Sequence, residues 1–170
     1  MDIERSLIVF KPDAVQRGLV GEVITRFERA GLKIVGMKML HPDYDHYFKH
    51  YEEIGQMITR RGQKPFDMTL AMMQQGPVIA MVLEGVGAVA LIRKMVGTTE
   101  PASAAPGTIR GDYSHISFAY ADKANVGVPN LLHASGDVEE AKKEIAHWFA
   151  DSELFSYTAP HEVHTQGKKK

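Results

Sequence analysis

The chain has 170 residues, of which 44% are hydrophobic and 24% are charged, with a formal net charge of −1. A chain of this length is expected to fold as one globular domain with its own core. The near-neutral charge argues against a nucleic-acid binder that depends on clustered cations, and the lack of cysteine excludes disulfides, thiolate nucleophiles and thiolate metal sites. The N-terminus has no signal-peptide pattern and no segment approaches the length of a membrane span, so we expect a cytoplasmic protein.

Apolar periodicity in the N-terminal half predicts alternating strands and helices. The predicted elements are a buried strand over 6–10, an amphipathic helix over 18–30, a strand over 32–40 and one helical face over 44–58. Lys11 follows the first strand, where ligand sites gather in α/β sheets, although a solvated lysine fits this position equally well. The hydroxyl of Tyr51 is either free to reach a ligand or packed in the core. Phe66 ends a basic turn, where its ring stacks on a nucleobase or simply plugs the loop.

The second half continues the same alternation. The predicted elements are a strand over 77–83, a helix over 86–96, a strand over 115–120 and a last helix that begins after Asp137. The segment from Gly85 to Ala90 matches G-x-G-x-x-A, but a long loop over 97–107 stands where a dinucleotide site needs another strand, which argues against such a site. Arg93 lies on the apolar face of the predicted helix over 86–96. Burial of its charge costs free energy unless an anion pairs with it. Arg110 lies beside glycines that let a backbone come close, or else it pairs with Asp112.

The stretch from Asn130 to Ser135 holds a histidine between two other polar side chains, after a Gly-Val-Pro turn. A neutral imidazole is a good nucleophile near pH 7, so His133 is a candidate reactive group. The alternative is a structural histidine whose ring nitrogens are satisfied by Asn130, Ser135 or the backbone. Glu144 falls at the edge of the apolar face of the last helix, and a partly buried carboxylate needs a donor, for which His133 is a candidate.

The C-terminal segment lacks periodicity, and residues 158–170 are predicted to form a flexible tail. His161 and His164 are three residues apart but have no carboxylate pattern around them, so we expect solvated side chains and not metal ligands. The three final lysines are expected to be disordered. No metal site built from protein ligands is predicted.

The order of the elements predicts an α+β fold of the ferredoxin-like split βαβ type, with a four-stranded antiparallel sheet and helices packed on it, in a single domain over 1–157. Lys11, Arg93 and Arg110 together with one nucleophilic histidine suit phosphoryl transfer, because there the protein mainly positions and neutralises the transferred group. A histidine can accept a phosphoryl group and pass it on, which splits one transfer into two.

Three segments resemble motifs of the nucleoside diphosphate kinase family. They are Ile8 to Gly21, Pro106 to Asp112, and Asn130 to Ser135. The similarity covers about residues 4 to 157. It implies an enzyme that transfers the γ-phosphoryl group of a nucleoside triphosphate, typically ATP, to a nucleoside diphosphate by a ping-pong mechanism through phosphohistidine at His133.

The resemblance also implies roles for individual residues. Glu144 matches the acid that orients the His133 ring, Ser135 the hydroxyl close to the transferred phosphate, and Phe66 the aromatic ring on which the base stacks. The residues that match the family's phosphate and ribose contacts are Lys11, Tyr51, Arg93, Thr99, Arg110 and Asn130. Mg²⁺ on the nucleotide phosphates, use of most bases through stacking, and a homohexamer or tetramer are implied as well, with no membrane and no specific nucleic-acid partner.

Two features depart from the family pattern. Ala134-Ser135-Gly136 stands where the family commonly has Gly-Ser-Asp after the histidine. The segments over 57–64 and 113–129 are longer than usual, so the residue that faces the base opposite Phe66 is not assignable from sequence. The alternatives are a catalytically weak nucleotide-binding regulator of the same fold and a ferredoxin-like interaction or RNA-binding module.

Overall fold

The computed structural model describes residues 2–167. Its strands are β1 (Ile3–Phe10), β2 (Lys33–Leu40), β3 (Val78–Val86) and β4 (Leu132–Ala134). Its helices are α1 (Pro12–Gln16), α2 (Val20–Arg29), α3 (Tyr44–Phe48), α4 (Met57–Arg61), α5 (Gln63–Met73), α6 (Ala88–Val96), α7 (Ile109–Tyr113), α8 (Phe118–Ala124), α9 (Val138–Trp148) and α10 (Glu162–Thr165), with π-helical Lys49–Ile54 and 3₁₀ turns at Pro101–Ser103 and Asp151–Glu153. Within the described range, no helix is long and apolar enough to cross a membrane.

The four strands form one antiparallel sheet in the order β2-β3-β1-β4, which confirms the predicted α+β architecture. Alternate residues of β1 enter two separate cores because successive side chains of a strand point to opposite faces. Leu7 and Val9 pack with α5 and α9, whereas Ile8 and Phe10 pack with α2 and α6. The sheet therefore has helices on both faces, and its β1 core residues are fully buried.

The fourth strand is not the one that the sequence predicts. Residues 118–124 form helix α8, because the Ser117 side chain caps it by accepting a hydrogen bond from the Tyr120 N–H. The fourth strand is instead the three-residue β4, which carries His133. Three residues are too few for a period-2 pattern to be recognised in the sequence.

One other prediction of local structure is corrected in the middle of the chain. The single helical face predicted over 44–58 is broken by the π-helical Lys49–Ile54 and by Gln56, whose backbone is left-handed with φ of 50°. The G-x-G-x-x-A match spans the end of β3, where Gly85 pairs with Glu4, and the start of α6, where the Val89 N–H donates to Glu4 Oε2. It therefore forms no phosphate-binding turn.

The predicted flexible tail is also corrected for its described part. Helix α10 brings the fully buried Glu162 to Lys33, with Nζ and Oε1 2.7 Å apart, and Lys33 lies 2.9 Å from Glu84 on the other side. A buried lysine needs such anionic partners, and the sequence separation hides them from local patterns. Residues 168–170, which hold the lysines expected to be disordered, lie outside the described residues.

Glu162→Gln is expected to lower the free energy of unfolding by about 2 kcal/mol, because it leaves Lys33 buried with Glu84 as its remaining carboxylate partner. Urea denaturation measures this change. Glu139→Gln, which breaks an exposed i,i+3 pair with Lys142, is the control and is expected to cost less than about 0.5 kcal/mol. Equal losses in the two variants would show that the C-terminal segment does not contribute to the stability of the domain.

Candidate active site

A cleft of about 760 Å³ collects most of the side chains that the sequence predicts to be functional. The predicted residues that line it are Lys11, Tyr51, Arg93, Thr99, Arg110, Asn130, His133 and Glu144. Ser135 and Phe66 do not line it. The walls come from the segment after β1, from β4, and from helices α4, α5, α6 and α8.

The pairing of β1 with β4 places Lys11, which follows β1, close to the strand that carries His133. Val9 is the register partner of His133, and the Lys11 N–H donates to the Leu131 carbonyl at 2.9 Å. Directly opposed residues of an antiparallel pair point to the same face, so His133 points to the side on which Val9 packs. Leu131 has φ of 75°, a strained left-handed conformation that is held by its N–H bond to Asp13 Oδ2.

A buried carboxylate contacts the imidazole. Nε2 of His133 lies 2.7 Å from Oε1 of Glu144, and the exposed fraction of the two side chains is 19% and 1%. The other carboxylate oxygen of Glu144 accepts a hydrogen bond of 2.6 Å from the Ser135 hydroxyl, which itself accepts the Leu7 N–H at 3.0 Å. Glu144 is thereby fixed from β1 through Ser135, and its other oxygen contacts Nε2 of His133.

His50 is a site residue that sequence reasoning missed. Its ring lies 4.5 Å from that of His133, centroid to centroid and nearly perpendicular, and its Nδ1 accepts the Trp148 Nε1–H at 3.0 Å. Burial, followed by the charge of His133, moves the pKa of His50 well below its usual value, so His50 is neutral. The accepted hydrogen bond puts its own proton on Nε2. The sequence shows this residue only as a polar neighbour of Tyr51.

Two cations of the cleft are buried and bonded to neutral groups. Lys11 Nζ donates to Asn130 Oδ1 at 2.7 Å, and burial together with the charge of Arg110 lowers the pKa of Lys11 to about 7. Arg110 donates to main-chain carbonyls of Asn130, Gly97 and Leu132, at 3.1, 3.1 and 2.7 Å. Burial, then the charge of Arg93, lowers the pKa of Arg110 to about 10. Because these neutral partners leave the charge uncompensated, the cleft favours an anion.

The remaining predicted residues line the cleft together with Lys11 and Arg110. Arg93 is exposed at the cleft wall and forms no ion pair within residues 2–167, so the predicted burial cost on an apolar stripe does not arise. Asn130 Nδ2 donates to the Thr99 carbonyl at 2.8 Å, which fixes the loop after α6. The Tyr51 hydroxyl is buried in the cleft without a partner among the described groups, and burial raises its pKa. It is therefore available as a neutral donor.

The predicted role of Phe66 is wrong, and Ser135 has contacts that the sequence did not indicate. The Phe66 ring is fully buried in the core and meets Phe48 edge-on, with 5.8 Å between ring centroids, so it offers no face to a base. Ser135 is also fully buried, and both of its hydrogen bonds go to protein groups. Its hydroxyl contacts Glu144, and its closeness to a transferred phosphate stays a prediction.

The described residues contain one group of three side chains with metal-ligand atoms close together, namely His50, His133 and Glu144. Magnesium prefers oxygen ligands, and this group offers two imidazoles, one of which already accepts the Trp148 N–H. The group therefore does not suit Mg²⁺ as a protein-bound ion.

The chain matches known proteins over nearly its whole length. The family model described as "Nucleoside diphosphate kinase" matches residues 4–154. A nucleoside diphosphate kinase of Pyrococcus furiosus is 44% identical over 158 residues, which cover 92% of this chain and 89% of that protein. A second, of Borreliella burgdorferi, is 40% identical over 92% of this chain and 93% of the relative.

Solved structures agree with the sequence matches. A transition-state mimic of nucleoside-diphosphate kinase from Borrelia burgdorferi with bound vanadate and ADP superposes with a TM-score of 0.93 at 38% identity, over 96% of this chain and 97% of that chain. A halophilic nucleoside diphosphate kinase from Halobacterium salinarum in complex with CDP gives a TM-score of 0.81 at 37% identity, over 95% and 97% of the two chains.

Ser135→Ala is expected to lower the free energy of unfolding by about 1–3 kcal/mol, because the buried Leu7 N–H and one oxygen of Glu144 lose their partner. Chemical denaturation gives the value. Ser156→Ala, at an exposed serine, is the control and should leave stability unchanged. A Ser135→Ala protein that is as stable as the Ser156→Ala control would contradict the role assigned to this hydroxyl.

Proposed function

The chain belongs to the nucleoside diphosphate kinase family and is a phosphotransferase of that class, and we propose that it works by a ping-pong mechanism through phosphohistidine at His133. The observation that carries the proposal is the contact of His133 with the buried Glu144, inside a cleft whose Lys11 and Arg110 have no carboxylate partner among residues 2–167. A nucleophilic residue needs a group that orients it, and the anion that leaves must be stabilised. In this site Glu144 provides the first and the cations of the cleft provide the second.

In the first half-reaction, a ring nitrogen of His133 attacks the γ-phosphorus of the donor triphosphate. The N–P bond forms as the bond to the bridging oxygen breaks, and the nucleoside diphosphate leaves as the anion. Glu144 contacts Nε2, which leaves Nδ1 as the attacking nitrogen. The carboxylate stabilises the charge that develops on the ring, in the way that an acid orients and supports a histidine in other covalent catalysts.

Four residues are proposed to hold the polyphosphate. Lys11 and Arg110 are fixed in the wall, and Arg93 is exposed and free to follow the ligand. Tyr51 adds a neutral hydroxyl beside His133, with 6.5 Å between the ring centroids. Phosphoryl transfer relies mainly on such positioning and charge neutralisation. Thr99 and Asn130 are proposed to contact the sugar and phosphates, since both line the cleft next to these cations.

The second half-reaction reverses the first with a different nucleotide. A terminal oxygen of the acceptor diphosphate attacks the phosphorus of phosphohistidine, the N–P bond breaks, and His133 returns to its neutral form. Mg²⁺ is proposed to enter with the nucleotide as part of the substrate, where it neutralises phosphate oxygens. Neither step requires a protein ligand to the metal.

We also propose that the protein is a homo-oligomer, as the family resemblance implies. The edge strand β2 supports this with two methionines that are 48% and 59% exposed, Met37 and Met39. An apolar side chain on an unpaired strand edge is a common feature of subunit contacts.

His133→Ala is expected to lower turnover of ATP with a nucleoside diphosphate acceptor by more than about a thousandfold, because it removes the group that carries the phosphoryl. ADP binding, measured by calorimetry, is expected to stay within about threefold, since the cations remain. His41→Ala, at an exposed histidine outside the cleft, is the control. Full turnover by the His133 variant would refute the mechanism, whereas a wild-type protein that binds but never turns over would be a regulator.

Nucleotide binding at pH 8 is expected to take up about one proton for each site. Lys11 has a pKa of about 7 in the free protein and is mostly neutral at pH 8, but bound phosphates restore its charge. Below pH 7 the uptake disappears because Lys11 is already charged, and above pH 7 the affinity falls as pH rises. Calorimetry in buffers of different ionisation enthalpy measures the uptake. Lys11→Met should abolish it, and a buffer-independent heat at pH 8 in the wild-type protein would contradict the account.

A further inference from the structure

Helix α8 forms a wall of the cleft that is suited to a base and not to a phosphate. It contributes Phe118, Ala121 and Asp122 to the lining, and none of the three is a cation. Arg61 lies near both this wall and the two buried cations, Lys11 and Arg110. Its charge contributes to the lowered pKa values of Lys11 and Arg110, while its guanidinium carbon lies over one face of the Phe118 ring, 5.4 Å from the ring centre. A nucleotide with its phosphates at Lys11 therefore has its base within reach of α8.

Phe118 is the ring that remains for stacking. The other aromatic rings that line the cleft, considering residues 2–167, are His50, Tyr51 and His133, and these three adjoin one another at the reactive end. Phe66 is excluded because its ring is fully buried. An aromatic platform stabilises any base by stacking, because every base has a π-face, so Phe118 provides affinity without selection.

Hydrogen bonds fix the first turn of α8, which carries the Phe118 ring. The Ser117 side chain caps the helix, and the Phe118 N–H donates to Glu100 Oε1 at 2.8 Å. The carbonyl of Ile116 accepts the Ala102 N–H at 3.1 Å, which ties the segment to the loop after α6. A side chain on an element fixed at its first turn loses little freedom when a ligand stacks on it.

Asp122 differs from the other carboxylates of the cleft. Asp137 accepts the Glu140 N–H, Glu140 accepts the Gly136 N–H, and Glu144 accepts the Ser135 hydroxyl. The Asp122 carboxylate is exposed in the cleft and has no hydrogen bond or ion pair with any residue from 2 to 167. It is four residues after Phe118, which places both side chains on one face of α8.

We propose that Phe118 and Asp122 form a base site that selects guanine. This inference rests on the proposed kinase function and adds a substrate preference to it. Guanine presents two adjacent N–H donors on its Watson–Crick edge, N1–H and the N2 amino group, and an ionised carboxylate accepts both in a bidentate pair. Adenine and cytosine present one amino donor beside an acceptor. Uracil and thymine present one N–H between two carbonyl oxygens, which the carboxylate repels.

The test is the discharge of purified phosphoenzyme by GDP, ADP, CDP and UDP in single-turnover experiments, which isolates the acceptor half-reaction. We expect the second-order rate constant for GDP to exceed that for UDP by about tenfold, the discrimination typical of one good hydrogen-bonded pair. Asp122→Asn is expected to remove the preference by slowing GDP to the level of UDP. Glu139→Gln removes an exposed carboxylate outside the cleft and is the control.

The stacking ring is tested separately. Phe118→Ala is expected to slow discharge by all four diphosphates by at least about fivefold, and Phe118→Tyr is expected to restore it. Tyr120→Ala removes an exposed ring from the same helix that does not line the cleft, and it should change nothing. Equal rates for all four bases in the wild-type enzyme, or a guanine preference that survives Asp122→Asn, would overturn the proposal.

Failure of the kinase mechanism itself gives a different result. If no phosphoenzyme forms, the same four diphosphates are compared by calorimetric binding to the wild-type protein and to Asp122→Asn. A guanine preference that depends on Asp122 then supports the base site in a protein without turnover. Equal affinities overturn it.

Discussion

The structure of the site depends on the short ladder between β1 and β4. It joins Lys11 at the end of β1 to Leu131, and it opposes Val9 to His133. Three register pairs are few for a strand, and the fully buried Leu131 and Leu132 with the left-handed backbone at Leu131 hold it in place. Strain of this kind persists where the surrounding packing imposes it, and it occurs frequently at functional sites.

The charges of the cleft follow from this arrangement. Main-chain carbonyls and one amide oxygen, which are neutral acceptors, fix Lys11 and Arg110, so the positive charge stays available to a ligand. Among the cleft carboxylates within residues 2–167, Glu144 is the buried one, and Ser135 and His133 contact its two oxygens. In the proposed mechanism, separation of a cationic wall from the buried Glu144 lets the same site bind a polyphosphate and support a histidine nucleophile.

Sequence patterns predicted the parts that depend on local periodicity and missed those that depend on tertiary contact. The amphipathic α2, the buried β1 and the capped start of α9 were predictable because their signals lie within a few residues. Strand β4 was missed because its pairing with β1 comes from distant residues. Motif matching placed Phe66 at the base, but that ring packs against Phe48 in the core, and α8 brings Phe118 to the cleft instead.

The most direct test of the mechanism is a mass measurement on the intact protein and its peptides after brief exposure to ATP and Mg²⁺, followed by a chase with GDP. The account predicts one acid-labile phosphoryl group on the peptide that contains His133, and its loss with formation of GTP on the chase. ATP binding without any phosphorylated peptide, or a phosphoryl group that GDP does not discharge, would contradict it.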